Sequence, residues 1–143
     1  MKILLTRVNQ AVHFEARNMT GKVISIDGSS RIGGENNGFR PMELLATAAA
    51  SCASIDVVLI LKKQRQKLED LKVHITANRR DEIPQVFTSL NFHFEVSGDI
   101  DEVKLEKAIE LSLTKYCSVL KSLNESIKIQ SSYTKLKKTQ YLV

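Results

Sequence analysis

Aromatic side chains are scarce in this chain, and tryptophan is absent from its 143 residues. Surfaces that bind nucleic acids usually combine basic residues with aromatic rings that stack on bases. The net charge is +5, but aromatic residues make up only 6% and no helix-turn-helix or RNP-like pattern occurs. The basic residues are instead scattered over residues 62–67, Arg79 and Arg80, and a tail with Lys135, Lys137 and Lys138. The sequence therefore predicts no nucleic-acid partner.

Long apolar runs are also lacking. The best candidate, residues 55–61, contains Asp56 and is followed at once by Lys62 and Lys63, whereas a membrane-spanning helix needs ~20 predominantly apolar residues. Residues 1–10 alternate as a strand does and lack the apolar segment and small-residue cleavage site of a signal peptide. We therefore expect no membrane association and a cytoplasmic location.

Cysteine is rare as well. Cys52 and Cys117 lie far apart in the chain and in no short metal-binding spacing. The histidines, His13, His74 and His93, alternate with apolar residues and form no ligand cluster, so the sequence predicts no metal site. In a reducing cytoplasm, a disulfide between the two thiols would be transient and functional. The alternative is that both cysteines are buried as small hydrophobic residues.

Hydrophobic periodicity predicts an α+β fold with antiparallel sheets. A glycine-rich loop over residues 28–38 is suited to cover a site. A second helix, capped by residues 99–102, places Cys117 on its core face through a spacing of four. The predicted strands are 2–9, 11–17, 22–27, 71–76, 86–96 and 127–133, and the first helix is 41–68. Length predicts one domain, 1–143, with the meander and loop in 1–40 and both cysteines in 41–143.

Two carboxylates belong to the helix that carries the first cysteine. Glu43 precedes Cys52 by about two and a half turns of a straight helix and so points away from it. It could reach the thiol across a helix break or from another subunit, or simply be the acid that the first turn favours. Asp56 follows Cys52 by one turn and shares its face. Its charge would raise the thiol pKa, which suggests a nearby basic group or a place at an interface.

Several motifs, in the right order, resemble the OsmC/Ohr family of osmotically inducible and organic hydroperoxide resistance proteins. Residues 41–52 resemble that family's first-cysteine helix, residues 92–98 its following strand, and residues 115–119 its second-cysteine motif. Residues 53–58, 79–82 and 87–88 resemble the YhfA-like branch of the family.

The resemblance implies two chains intertwined as a homodimer, with sheets wrapped around two central helices. It implies a cofactor-independent thiol peroxidase active in the oxidative stress response, without metal, haem or flavin. Cys52 would become a sulfenic acid on attacking an organic hydroperoxide, and Cys117 would resolve it as a disulfide. A dithiol reductant, in some relatives a lipoylated protein, would restore the thiols.

The chain departs from the Ohr pattern at three places. Met42 stands where a carboxylate follows the proline, Asn9 and Gln10 occupy the hairpin of the activating arginine, and Ser118 replaces a common proline. Met42 favours an apolar pocket and a bulky organic hydroperoxide. The supporting residues are predicted to be Glu43, Arg40 and Arg79, although Arg7, Arg17, Arg31 and Arg80 are also candidates. The alternative is a non-catalytic redox-sensing or small-ligand-binding protein.

Overall fold

The computed structural model describes residues 1–136, which contain six strands and three α-helices. The strands are β1 (Ile3–Arg7), β2 (Phe14–Asn18), β3 (Val23–Ile26), β4 (Lys67–Arg79), β5 (Phe87–Asp99) and β6 (Lys128–Leu136). The helices are α1 (Pro41–Lys63), α2 (Glu102–Leu111) and α3 (Ser118–Lys121). The chain divides into two units, Met1–Leu45 and the part that begins at Ala46. The predicted α+β class is confirmed, the single-domain organisation stays a prediction, and Lys137 and Lys138 lie outside the described residues.

In the first unit, β1, β2 and β3 form the predicted antiparallel meander. The second strand begins at Phe14 rather than at residue 11, because the Asn9 side chain organises the turn. Its Oδ1 accepts the backbone N–H groups of Ala11 and His13 at 2.9 and 3.1 Å. An asparagine side chain that bonds to the following backbone favours a turn over a strand.

The glycine-rich loop of this unit is built around Asp27, which is 1% exposed. Its carboxylate accepts N–H groups from Gly28, Glu35 and Asn37 at 2.7, 3.0 and 3.0 Å. These bonds, above all the one from the Asn37 N–H, hold the pKa of Asp27 below its usual value. One side chain therefore satisfies three backbone amides of this loop.

Helix α1 buries one narrow face made mostly of small residues: Ala46, Ala49, Ala53, Val57 and Leu61. Its opposite side exposes large apolar residues, among them Ile55 at 61% and Leu59 at 51%. The helix ends five residues before the predicted boundary of 68, since Arg65 adopts a left-handed conformation with φ +55° and β4 then begins at Lys67. Small side chains on the buried face allow neighbouring backbone to approach closely.

Helix α1 is also long and apolar enough to cross a membrane by length and composition. The sequence did not predict this, because Asp56 interrupts the apolar run and Lys62 and Lys63 follow it. Core helices of soluble proteins, which are mostly buried, meet the same criterion, but only 28% of this window is buried.

The second unit contains a sheet in the order β4-β5-β6. Strands β4 and β5 are antiparallel, whereas β6 runs parallel to β5. The prediction of purely antiparallel sheets is therefore wrong for this pair. Parallel neighbours need a long crossover connection, and the chain between β5 and β6 supplies one through α2 and α3. Alternate residues of β5 form the core of this unit: Leu90, Phe92, Phe94 and Val96.

Candidate functional site

Cys52 lies in the middle of α1, where it is half-buried beside the fully buried Ala49 and Ala53. A midhelix position fixes its Cα, so only rotation about χ1 can move the sulfur. Cys52 is a free thiol.

Cys117 does not continue the second helix, as the spacing of four predicted. Helix α2 begins as expected, with the Asp101 side chain accepting the N–H of Lys104 at 3.0 Å, but it ends at Leu111. A π-helical turn, Ser112–Tyr116, follows, and the N–H of Cys117 donates to Ser112 O at 2.9 Å. A π-turn inserts one residue into a helix, and such turns are frequent at functional sites.

The extra residue places Cys117 in an extended conformation at the N-cap of α3. Its sulfur accepts the N–H of Leu120 at 3.5 Å. The residue is 1% exposed. The second thiol is therefore held at a break between helices, inside the core.

One buried hydrogen bond fixes this break against α1. The Ser112 hydroxyl donates to the carbonyl oxygen of Ala53 at 2.9 Å, and the Cys117 sulfur lies 4.0 Å from the carbonyl oxygen of Ala49. Ala49 and Ala53 flank Cys52 along the helix. Because neither alanine has a side chain beyond Cβ, the second-cysteine segment packs close to the α1 backbone.

The close packing of the second-cysteine segment against α1 brings three side chains together. One ligand atom each from Cys52, Asp56 and Cys117 lies within 4.8 Å of the other two. The Asp56 Oδ2 atom is buried and has no hydrogen-bond partner in the described part of the chain. Within residues 1–136, no ion pair joins Asp56 to an arginine. The predicted proximity of Asp56 to Cys52 follows from their spacing of one helical turn.

The two thiols differ in their surroundings. Burial raises the pKa of Cys117 to about 11, and the neighbouring Cys52 acts in the same direction. Cys117 is therefore protonated at neutral pH. Cys52 is the more exposed of the pair, so it is the thiol that an incoming molecule meets first.

The other predicted site residues have local partners. Glu43 accepts the backbone N–H of Arg40 at 2.9 Å, and the Arg40 guanidinium donates to Asn36 at 3.0 Å, all within the first unit. This bond fits the alternative role of Glu43 as the acid of the first helical turn. Arg79 donates to the carbonyl oxygen of Gln85 at 2.7 Å in the β4–β5 hairpin. Within residues 1–136, Arg79 has no hydrogen bond or ion pair with Cys52, Asp56 or Cys117.

The histidines are engaged elsewhere in the described part of the chain. His13 bonds to Ser25 at 2.7 Å, His74 to Glu95 at 3.0 Å and His93 to Ser132 at 2.8 Å. Among the described residues, the group of side chains placed to share a metal ion contains no histidine.

The fold and its pair of neighbouring thiols can be compared with known proteins. A family model described as OsmC-like protein matches residues 34–132. The chain belongs to the OsmC-like family. It is 38% identical to Protein YhfA of Escherichia coli K12 over 125 residues, which are 87% of this chain and 90% of YhfA. The resemblance noted from the sequence motifs is thus confirmed.

Solved structures agree with this family assignment. A hypothetical protein from Aquifex aeolicus VF5 superposes with a TM-score of 0.78 and 31% identity, over 95% of this chain and 97% of that one. An organic hydroperoxide resistance protein OsmC from Legionella pneumophila gives a TM-score of 0.70 over 94% and 97%. The identity to the second is 14%, so that similarity shows the OsmC-like fold alone.

Sequence reasoning missed Ser112 and the π-turn. A signal was present, because Ser112 follows the core residue Leu105 by two turns and is a polar residue on an apolar face. A buried polar side chain requires a partner, and here that partner is the α1 backbone.

Proposed function

We propose that this protein is a cofactor-independent thiol peroxidase that reduces organic hydroperoxides. The observation that carries the proposal is the approach of the Cys52 and Cys117 sulfur atoms to within 4.8 Å of each other. A disulfide requires ~2.05 Å between the sulfurs, a distance that rotation of the two side chains and a small shift of the Cys117 segment can close. Membership of the OsmC-like family supports the same chemistry.

In the proposed reaction, the Cys52 thiolate attacks the O–O bond of the hydroperoxide. The bond breaks, the alkoxide takes up a proton and leaves as an alcohol, and Cys52 is oxidised to a sulfenic acid. The Cys117 sulfur then attacks the Cys52 sulfur and loses its proton, and the hydroxyl group leaves as water. A dithiol reduces the resulting disulfide by exchange and is itself oxidised.

The difference between the thiols supports this order of events. A peroxidatic cysteine must meet the substrate as a thiolate, whereas a resolving cysteine can stay protonated until the sulfenic acid forms. Cys52 is half-buried, and Cys117 is buried with a raised pKa. Met42, half-buried at the start of α1, suits an organic rather than a small polar substrate.

A peroxidatic thiolate is stabilised by a nearby positive charge. Arg40 and Arg79, with Glu43, remain the proposed supporting residues. Replacing either arginine by alanine should lower the rate of Cys52 oxidation if it supplies that charge. An unchanged rate in both variants would remove both residues from the proposal.

We also propose that the protein works as a homodimer in the cytoplasm. Helix α1 exposes large apolar side chains, including those of Ile55 and Leu59. An exposed apolar patch of this kind is typical of an interaction surface. A second copy of the chain would bury them, as the family resemblance implies. Sedimentation equilibrium at micromolar concentration measures the assembly directly.

The decisive experiment counts free thiols per chain before and after one equivalent of cumene hydroperoxide, with a denaturing quench. Loss of both thiols in the wild type, with recovery by dihydrolipoamide, is expected. In Cys117→Ser the same treatment should leave a sulfenic acid at Cys52 that dimedone traps. Two unreacted thiols in the wild type would overturn the peroxidase proposal.

A second candidate is a redox sensor or small-ligand-binding protein that forms its disulfide without efficient turnover. The absence of the Ohr carboxylate at Met42 and of the Ohr arginine at Asn9 and Gln10 favours it. A cavity of about 510 Å³ between α2 and β6, lined by Ile109, Leu113 and Tyr133 among others, also favours ligand binding. Steady consumption of many equivalents of hydroperoxide per chain, with a dithiol present, would exclude the sensor.

A further inference from the structure

The Cys52, Asp56 and Cys117 cluster has the composition of a metal site as well as that of a redox pair. Two thiolates and a carboxylate are ligands that Zn²⁺ accepts, and a tetrahedral zinc site places neighbouring ligand atoms roughly 3.5–3.8 Å apart, given Zn–S and Zn–O bonds of about 2.3 and 2.0 Å. The three atoms already lie within 4.8 Å of one another. To reach the distances of a zinc site, these ligand atoms need to move closer to one another by about 1 Å.

The backbone supports this arrangement. Cys52 and Asp56 are one turn apart on α1, a spacing that places two side chains side by side on one helix face and that helical zinc sites use. Cys117 approaches them from the π-turn, which the Ser112–Ala53 hydrogen bond of 2.9 Å holds in place. Two ligands on a rigid helix and a third fixed by a buried bond form a preorganised site.

An independent observation points to a cation at this place. The Oδ2 atom of Asp56 is buried without a hydrogen-bond partner among residues 1–136. A buried carboxylate oxygen that lacks both a hydrogen bond and a counter-charge is costly. The unpartnered oxygen belongs to the same residue whose carboxylate lies beside both sulfurs. A cation bound there would satisfy it.

The ligand set selects the metal. Thiolate sulfur is soft and disfavours Mg²⁺ and Ca²⁺, which prefer oxygen ligands, whereas Zn²⁺ accepts mixed sulfur and oxygen sites. Three protein ligands also leave a fourth position open, as in zinc sites that hold a water molecule or an exogenous ligand.

We propose that the reduced protein binds one Zn²⁺ ion per chain through Cys52 Sγ, Cys117 Sγ and Asp56 Oδ2, with the fourth position open. Binding replaces the two thiol protons, which pass to solvent, because a coordinating thiol is deprotonated. The bound ion then occupies both sulfurs and shields them from hydroperoxide. This inference goes beyond the peroxidase proposal and holds whether or not the cysteine pair turns over.

The test uses the full chain, reduced, stripped with a chelator and kept without oxygen. Titration with Co²⁺ should give thiolate-to-metal charge-transfer bands and the intense d–d bands of four-coordinate cobalt, saturating at one ion per chain. Zn²⁺ should displace the cobalt and abolish the bands. Absence of charge-transfer bands, or saturation at half an ion per chain with the metal shared between copies, would overturn the proposed site.

Variants identify the ligands. Cys52→Ser and Cys117→Ser should each lose most of the charge-transfer intensity. Asp56→Asn should weaken Zn²⁺ binding by at least about 100-fold, because it changes a direct ligand and even a changed outer-shell partner costs 10- to 100-fold. Asp81→Asn is the matched control, since Asp81 is exposed in the β4–β5 hairpin, and its binding should equal that of the wild type. Wild-type affinity in Asp56→Asn would show that Asp56 is not a ligand and that the site is not the one proposed.

A measurement on the wild type alone covers the case in which a cysteine variant fails to fold. One equivalent of Zn²⁺ should slow alkylation of both thiols by iodoacetamide at least 10-fold, and a chelator should restore the original rates. Equal rates with and without Zn²⁺ would contradict the proposal. A failed thiol count with hydroperoxide would not affect this result, so the peroxidase and zinc proposals can fail separately.

Discussion

Two aspartates, one in each unit, differ in their hydrogen bonding. Asp27 is buried, accepts three backbone N–H groups and organises the loop that follows it. Asp56 is half-buried and lies beside two thiols, and its Oδ2 atom is buried with no hydrogen-bond partner among the described residues. A fully satisfied buried carboxylate stabilises its surroundings, whereas an unsatisfied one costs stability and is retained for another reason. The first aspartate therefore indicates structure, and the second indicates chemistry.

The largest expected effect tests the chemical side of the comparison. Cys52→Ser should lower hydroperoxide turnover by about 1,000-fold or more, because removing a nucleophile from an enzyme has effects of that size or larger. Coupled consumption of cumene hydroperoxide and a dithiol measures it. Cys117→Ser is the matched comparison: it should still consume one equivalent of hydroperoxide in a single turnover. Turnover at the wild-type rate in Cys52→Ser would exclude this cysteine as the peroxidatic residue.

The structural side of the comparison predicts an effect on stability that depends on pH. Asp27→Asn replaces one carboxylate oxygen, which accepts a hydrogen bond, with an amide NH₂ group that faces a backbone N–H donor. The melting temperature should therefore fall by several degrees at pH 7. Because the folded-state pKa of Asp27 lies below the unfolded value, its contribution is present above the unfolded pKa and is lost as the pH falls through the folded pKa.

Thermal unfolding at a series of acidic pH values measures this difference. The wild type should lose stability in acid faster than Asp27→Asn, so that the two melting temperatures converge. A difference that is constant with pH would show that the Asp27 carboxylate does not supply the stabilisation.

A smaller effect is expected at the hydrogen bond that joins the π-turn to α1. Ser112→Ala removes a buried bond to Ala53 O and should lower the free energy of unfolding by about 1 kcal/mol. Urea unfolding measures the change, and disulfide formation after oxidation should also become slower because Cys117 is less firmly placed. Ser122→Ala is the control, since it removes a bond of similar length, 2.8 Å, at an exposed position. An equal loss of stability in both variants would contradict a special role for Ser112.

The smallest effect is expected at Asp56, and its sign should be opposite to that at Asp27. In the reduced, metal-free protein, Asp56→Asn replaces a carboxylate whose Oδ2 atom is buried without a hydrogen-bond partner among the described residues, so the free energy of unfolding should stay constant or rise by up to about 1 kcal/mol. The same urea experiment measures it, with Asp81→Asn as the exposed control. A clear loss of stability in Asp56→Asn would show that the carboxylate has a stabilising partner, and the contrast with Asp27 would disappear.

Local patterns were sufficient for most individual elements. Alternation of apolar residues predicted the meander, Pro41 predicted the start of α1, and Asp101 was within the predicted cap of α2. The spacing between Cys52 and Asp56 placed them on one face, because side chains four residues apart lie on the same face of an α-helix. The family motifs paired Cys52 with Cys117 as a resemblance and not from periodicity.

Tertiary structure decided the rest. The parallel pairing of β6 with β5 depends on a crossover between distant segments, which no local period encodes. The π-turn replaced the predicted helical register of Cys117, because a buried bond from Ser112 to the α1 backbone outweighs a regular spacing of apolar residues. The sequence by itself determined which residues could carry the chemistry, and only the packing of the second-cysteine segment against α1 decided that two thiols and an unpaired carboxylate would share one site.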